Sequence, residues 1–308
     1  MDQNNTNTQT PQQENKKSFS RWYEKHYKHL LILPAIILFL SIIYLAQFTA
    51  KNGDIIYKDI SLTGGTTITV FDKTASIDNI RQSLITQFPD LSTRKIADIQ
   101  TGEQKAFLVE SKAEAETLKS ALESELGYEL TGEKASIEFS GESLSAGFYK
   151  QLRTALLIAF VLMAIVVFVI FRTAIPSGAV ILSALADIVM TLAVINFFGF
   201  QLSTAGIIAL LMLIGYSVDT DILLTTRLLK STEGTPSQRL AGAFKTGMTM
   251  TLTSVAAIAV GLAIIYSISE VLKQMFTIII IGLGFDIFNT WITNASILKW
   301  YMEAKHKQ

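Results

Sequence analysis

Apolar residues in this chain fall in long runs, and one polar-patterned stretch separates the first run from the rest. Leu30 to Ala50 is almost continuously apolar. So are Thr154 to Phe171, Ser177 to Phe198, Leu202 to Leu224, Gly247 to Ile268 and Met275 to Leu298. Each has about the 20 residues that a helix needs to cross about 30 Å of hydrocarbon. Six membrane spans are therefore predicted, at 30–50, 154–171, 177–198, 202–224, 247–268 and 275–298. The first is too long for a signal-peptide core and lacks a convincing small-x-small cleavage site, so it reads as a retained anchor.

Between the first and second spans, residues 51–153 switch to an alternating pattern. Thr66 to Phe71 reads as a strand, and Ser76 to Phe88 as a helix with a serine cap. Thr93 to Ile99 and Ala106 to Glu110 read as strands around the turn Thr101-Gly102-Glu103. Ala113 to Leu126 is a helix stopped by Gly127, and Ala135 to Phe139 is a last strand. The order β-α-β-β-α-β is that of a ferredoxin-like unit. The predicted fold is an α-helical polytopic membrane protein of six transmembrane helices, with one external α+β ferredoxin-like domain between the first and second. Leu62-Thr63-Gly64-Gly65-Thr66 precedes the first strand. It is either a tight turn that needs positive φ or a binding turn, and the sequence leaves both open.

The remaining segments are tails and connections. Residues 1–20 are rich in Asn, Gln and Thr and read as disordered. Arg21 to Lys28 is basic and aromatic, as expected of an interfacial belt, and completes an N-terminal tail over 1–29. In the connection over 227–246, Thr235-Pro236 offers a cap and a first-turn proline. Leu240, Ala243 and Phe244 then share a face, which predicts a short helix at the inner membrane surface running into the fifth span. Residues 299–308 form a C-terminal tail. The tails, the Arg172 turn and the 227–246 connection collect thirteen Lys and Arg, against Lys273 alone in the short loops opposite. By the positive-inside rule both termini are cytoplasmic, in the cell membrane, and the 51–153 domain lies outside.

Composition narrows the chemistry. Only 17% of the 308 residues are charged and the net charge is zero, so nothing points to nucleic acid. Cysteine is absent, which excludes disulfides and thiolate metal sites. The three histidines, His26, His29 and His306, lie near the chain ends, away from any intramembrane Ser-His site. No catalytic residues, metal or cofactor are expected, and the chain does not read as an enzyme. Gly127 to Lys134 approaches a P-loop, but Glu133 follows Gly132 where the motif needs Lys-Ser/Thr.

The candidate chemistry is acidic and lies inside the spans. Gly215-Tyr216-Ser217-Val218-Asp219-Thr220-Asp221 places two carboxylates in an apolar run. A charge there costs a few kcal/mol, so an ionisable residue is a functional candidate by default. Asp187 lies in the third span and Asp286 in the sixth. Ser183, Asp187 and Thr191 stack on one face, as do Asp286, Asn289, Thr290, Thr293 and Asn294. Thr246, Thr249 and Thr253 line the fifth span, and Thr204, Ile208, Met212, Gly215 and Asp219 share a face of the fourth. These stripes, with Ser217 and Thr220, predict a shared polar seam, because polar side chains facing lipid stay unpaired. Asp219 and Asp221 point to nearly opposite sides of a helix. Asp219 lies eight residues, about 12 Å, from Arg227, and is expected to be the group that loads an ion. Asp221 is expected nearer water, as its feeder. Lys245 either pairs with a fourth-span carboxylate or reaches lipid phosphates. Desolvation disfavours a charged carboxylate, so such a group can take a proton from one side and release it to the other. One charge crossing 100 mV releases about 2.3 kcal/mol, enough to shift a two-state equilibrium about fifty-fold. A sodium ion could use the same oxygens.

The stretch Gly215 to Asp221 through Arg227, with Ala186-Asp187 and the Leu62-to-Thr66 turn, resembles the SecF family of protein-export membrane subunits, over residues 30 to 300. The Val218-Asp219-Thr220-Asp221 form is similar to archaeal members. In bacterial members an Asn-Asp pair is usual, and the bacterial aspartate falls on Thr220. Lys245 stands where those carry arginine, and Ser61 where many carry aspartate. The resemblance implies a fold related to the resistance-nodulation-division transporters. It implies a heterodimer with SecD, docking on a SecY-type channel, and contact with membrane lipids. External domains would hold an unfolded preprotein while protons, or sodium ions, drive the cycle. An alternative within that superfamily is a half-transporter that exports a lipid or small molecule.

Overall fold

The computed structural model describes residues 27, 29–98, 101–231, 234–266 and 269–306. The expected disordered tail and nearly all of the basic belt lie outside them. Among the described residues, six helices are long and apolar enough to cross a membrane. Helix α1 runs Ile32–Asn52 and stops at Gly53, whose φ of 77° is left-handed and whose N–H returns to Thr49 O at 2.8 Å. A single turn of helix, α2 (Ile60–Thr63), leads into the sheet domain. This holds β1 (Gly65–Val70), α3 (Ile77–Leu84), β2 (Ser92–Ala97), β3 (Gln104–Ser111), α4 (Ala115–Leu126) and β4 (Ala135–Ser140). The remaining membrane helices are α5 (Glu142–Phe171), α6 (Ala174–Phe197), α7 (Thr204–Leu229), α8 (Pro236–Ile265) and α9 (Glu270–Phe288). Helix α9 passes through a π-helical turn, Asn289–Asn294, into α10 (Ala295–His306).

The four strands form one antiparallel sheet in the order β2-β3-β1-β4. That is the ferredoxin-like arrangement expected from the β-α-β-β-α-β order. Alternation decides its two faces. Ile68, Val70, Phe107 and Val109 pack with Ile80 and Leu84 of α3 and Leu118 and Leu122 of α4. Thr67, Thr69, Arg94, Leu108 and Glu110 occupy the opposite face, which carries neither of those helices and looks toward the membrane helices.

The sheet domain is joined to the bundle at defined points. Lys58 pairs with Leu202 in the α6–α7 loop: Leu202 N–H donates to Tyr57 O at 2.6 Å, and Asp59 N–H to Leu202 O at 3.0 Å. Thr204 N–H donates to Ser61 Oγ at 3.2 Å, and Asn196 Nδ2 to Ile55 O at 2.7 Å. The Gly64-Gly65 turn has φ of 85° and 145°. A Cβ on Gly64 would lie 2.6 Å from Glu142 Cα, and one on Gly65 2.5 Å from Ser111 O. Both glycines are thus needed for positive φ and for close backbone approach.

Helices α6 and α7 form the centre of the bundle. Two thirds of the apolar window of α6 is buried, against 6% of that of α8. Helix α8 includes the helix expected in the connection. It opens with the capping box of Thr235 and Gln238 and with Pro236 in its first turn, then runs unbroken for 30 residues. The connecting helix and the fifth span are one continuous helix, because nothing between Phe244 and Thr253 breaks helical bonding. Gly247 is the weak point for propensity, and it serves packing: a Cβ there would lie 2.4 Å from Trp291.

Candidate functional site: a buried acidic seam

Three aspartates from three helices meet in the bundle. Asp187 of α6, Asp221 of α7 and Asp286 of α9 are each 0% exposed. Asp187 accepts from Ser217 Oγ at 2.5 Å and from Asn289 Nδ2 at 2.7 Å. Asp221 Oδ1 accepts from Asn294 Nδ2 at 2.7 Å and lies 2.8 Å from Thr290 Oγ1. That same hydroxyl lies 3.1 Å from Asp286 Oδ1. Among the described residues no lysine or arginine pairs with any of the three.

The π-helical turn makes this convergence. It supplies Asn289, Thr290 and Asn294, and all three are fully buried. One turn of i→i+5 bonding widens the helix and carries donors toward both α6 and α7. Such turns concentrate at functional sites. Nothing in the residue pattern over 289–294 distinguishes a π turn from an α turn.

The chemistry of the seam follows from its donor count. Thr290 has one hydroxyl proton and two acceptor lone pairs. Placed between two carboxyls, it can donate to one and accept from the other only if that other carries a proton. Asp221 Oδ2, Asp286 Oδ2 and Asn294 Oδ1 meet no donor among the described residues. Each unsatisfied buried acceptor costs about 1–3 kcal/mol, more for a charged one. Thr290 is thus placed within hydrogen-bond distance of both carboxyls, Asp221 and Asp286.

Several expected seam residues stand elsewhere. Asp219 was expected to face a neighbouring helix; it is exposed, on the opposite side of α7 from Asp221. Asp221 was expected nearer water and is fully buried. The reason lies in which side of α7 its neighbours cover: α6 and α9 pack on the side of Ser217 and Asp221. Gly215 is exposed, and a Cβ there would meet nothing within 4 Å, so among the described residues no neighbouring helix uses its small size. Thr249 and Thr253 are exposed as well. Thr249 Oγ1 donates to Lys245 O and Thr253 Oγ1 to Thr249 O, both at 2.8 Å, so each hydroxyl is satisfied within α8 itself. Lys245 is exposed and pairs with no carboxylate among the described residues. Thr220 is buried but turned toward Gly247 of α8 rather than into the seam. Gly64 and Gly65 form the packed turn described above.

Fold and seam together define a class: a six-helix membrane protein with a ferredoxin-like insertion after its first helix and an acidic centre shared by three helices. The family model "Protein export membrane protein SecD/SecF, C-terminal" matches residues 123–304. The protein-export membrane protein SecF of Methanolacinia petrolearia is 40% identical over 284 residues, which cover 91% of this chain and 95% of that one. SecF of Methanocaldococcus jannaschii is 38% identical, over 90% of this chain and 96% of that one. The fold is also that of a crystal structure of SecDF, a translocon-associated membrane protein from Thermus, with a TM-score of 0.67 at 19% identity. That likeness covers 91% of this chain and 38% of the longer one. The chain belongs to the SecF family of Sec-associated protein-export membrane proteins.

Proposed function

We propose that this chain is the SecF half of a two-part machine that uses an ion gradient to promote preprotein translocation through a SecY-type channel. The observation that carries the reading is the Asp187–Asp221–Asp286 seam, with Thr290 bridging two of its carboxyls. We assign proton exchange to that seam, with Asp221 as its central group. The sheet domain lies on the outer side and both termini on the cytoplasmic side of the cell membrane. A SecD partner is supported by a second feature. Asp219, Thr249 and Thr253 are exposed on α7 and α8, within helices that hydrocarbon would surround. A carboxyl facing lipid is costly, and a helix from a second, similar half would cover this side. The partner half and the channel should co-purify with the chain. Membrane vesicles holding the assembled complex should then export preprotein faster with an imposed proton gradient than without. Vesicles with full assembly and no gradient effect would refute ion-driven export. Recovery of a lipid cargo and no channel would support the half-transporter alternative.

A further inference from the structure

Arg94 lies on the helix-free face of the sheet, on the edge strand β2. Its Nη2 is 3.1 Å from Glu110 Oε2 and 3.5 Å from Asp59 Oδ2. Glu110 is on the adjacent strand β3, so that pair stays inside the sheet. Asp59 belongs to the segment between α1 and β1, so the second pair leaves the sheet. Both carboxylates are nearly buried, 6% exposed for Asp59 and 8% for Glu110. Removing one partner of a buried pair exposes the desolvation cost of the other.

Asp59 is a junction. Its Oδ1 accepts from Ser61 N–H at 3.2 Å and caps α2, while its own N–H is held by Leu202 O. Leu202 lies just before α7 and Thr204 begins it, and both are bonded to this linker. A connected path thus runs from the edge of the sheet through Asp59 to the helix that carries Asp221.

The opposite edge of the sheet is fastened differently. Strand β4 continues through Gly141 into α5, and Gly64-Gly65 is interlocked by backbone contact with Glu142 and Ser111. A cleft of about 980 Å³ separates Thr67, Thr69 and Leu108 above from Phe200, Gln274 and Ile278 below. One edge is held by backbone and the other by an ion pair, over an open cleft.

We infer that Arg94 is a latch: its bond to Asp59 holds the β2 edge of the sheet down on the start of α7, and its release opens the cleft about the Gly64-Gly65 edge. Glu110, the nearer partner, keeps the guanidinium paired when Asp59 moves away. A shift at the sheet-side end of α7 pulls Asp59 through Leu202 and Ser61, so the latch answers to the membrane helices. Arg94 is a positioning residue in this scheme and touches no transported ion.

The chain has no cysteine, so paired spin labels can be placed without background. Labels at Glu116→Cys in α4 and Phe198→Cys at the end of α6 report the separation of sheet and bundle in the full-length protein. Wild type should show one narrow distance. Arg94→Gln and Asp59→Asn should each broaden it toward longer distances, and the double variant should add nothing to either single change. Arg94→Lys should keep the wild-type distance as the main population. Asp59→Asn retains the oxygen that caps α2, so it decides the matter if Arg94→Gln fails to fold. Unchanged distances in Asp59→Asn, or additive effects in the double variant, would overturn the latch.

Discussion

Asp219 and Asp221 stand two residues apart on α7 and face opposite ways: Asp221 is fully buried against the π-helical turn, and Asp219 is exposed. The two carboxylates therefore have different neighbours and different expected roles.

Asp221→Asn keeps an oxygen for Thr290 and Asn294 but can neither ionise nor carry a proton. The variant should assemble normally, and its export should fall to the level measured without a gradient. Asp219→Asn should leave gradient-stimulated export largely intact and weaken association with the partner half instead. Export assays on assembled complexes, with quantified partner recovery, check both. The opposite pattern would move the ion role to Asp219.

Gly64→Ala should destabilise the fold by more than about 1–3 kcal/mol, because φ 85° with ψ 156° is a backbone region essentially confined to glycine. Its Cβ would also lie 2.6 Å from Glu142 Cα. Gly53, at φ 77° and ψ −3°, is left-handed with nothing within 4 Å, so Gly53→Ala should show only the roughly 1–2 kcal/mol of a left-handed alanine. Thermal unfolding of the two variants side by side measures the difference.

Asp72, in the sheet domain, is held down to about 2 by the Tyr128 hydroxyl first and the Thr74 amide next. Tyr128 Oη donates to Asp72 Oδ2 at 2.6 Å. The unfolded value is about 3.9. A depressed carboxyl stabilises the fold above its unfolded pKa, and that contribution disappears as pH falls toward 2. Tyr128→Phe should therefore be less stable than wild type at neutral pH, with the gap closing between about pH 4 and about pH 2. Denaturant unfolding across that window tests the sign. A gap that widens on acidification would exclude this account.

The orientation proposed from the basic residues can be read with an impermeant thiol reagent. Cysteines introduced at Ser76 or Glu114 should label from outside intact cells, and one at Ser231 only after permeabilisation. Labelling in the reverse order would invert the topology.

The six spans and the ferredoxin-like order were legible in the chain for a simple reason. Crossing hydrocarbon demands a long apolar run, and a half-buried sheet demands alternation. Both requirements act on neighbours in sequence. Asp187 and Asp286 stood out for the same reason, as charges inside such runs. Helical spacing also separates Asp219 from Asp221. It does not say which side another helix covers, because α7 carries polar residues on both. Packing of α6 and α9 settled that. Threonine misled at 249 and 253, since its hydroxyl can be satisfied by its own helix. The π turn at Asn289–Asn294, the bridge by Thr290 and the Arg94–Asp59 pair depend on contacts between distant segments. Sequence alone determined the elements and the residue types available to them. Tertiary structure decided which of those residues meet, because burial and hydrogen bonding belong to pairs of surfaces rather than to a single strand or helix.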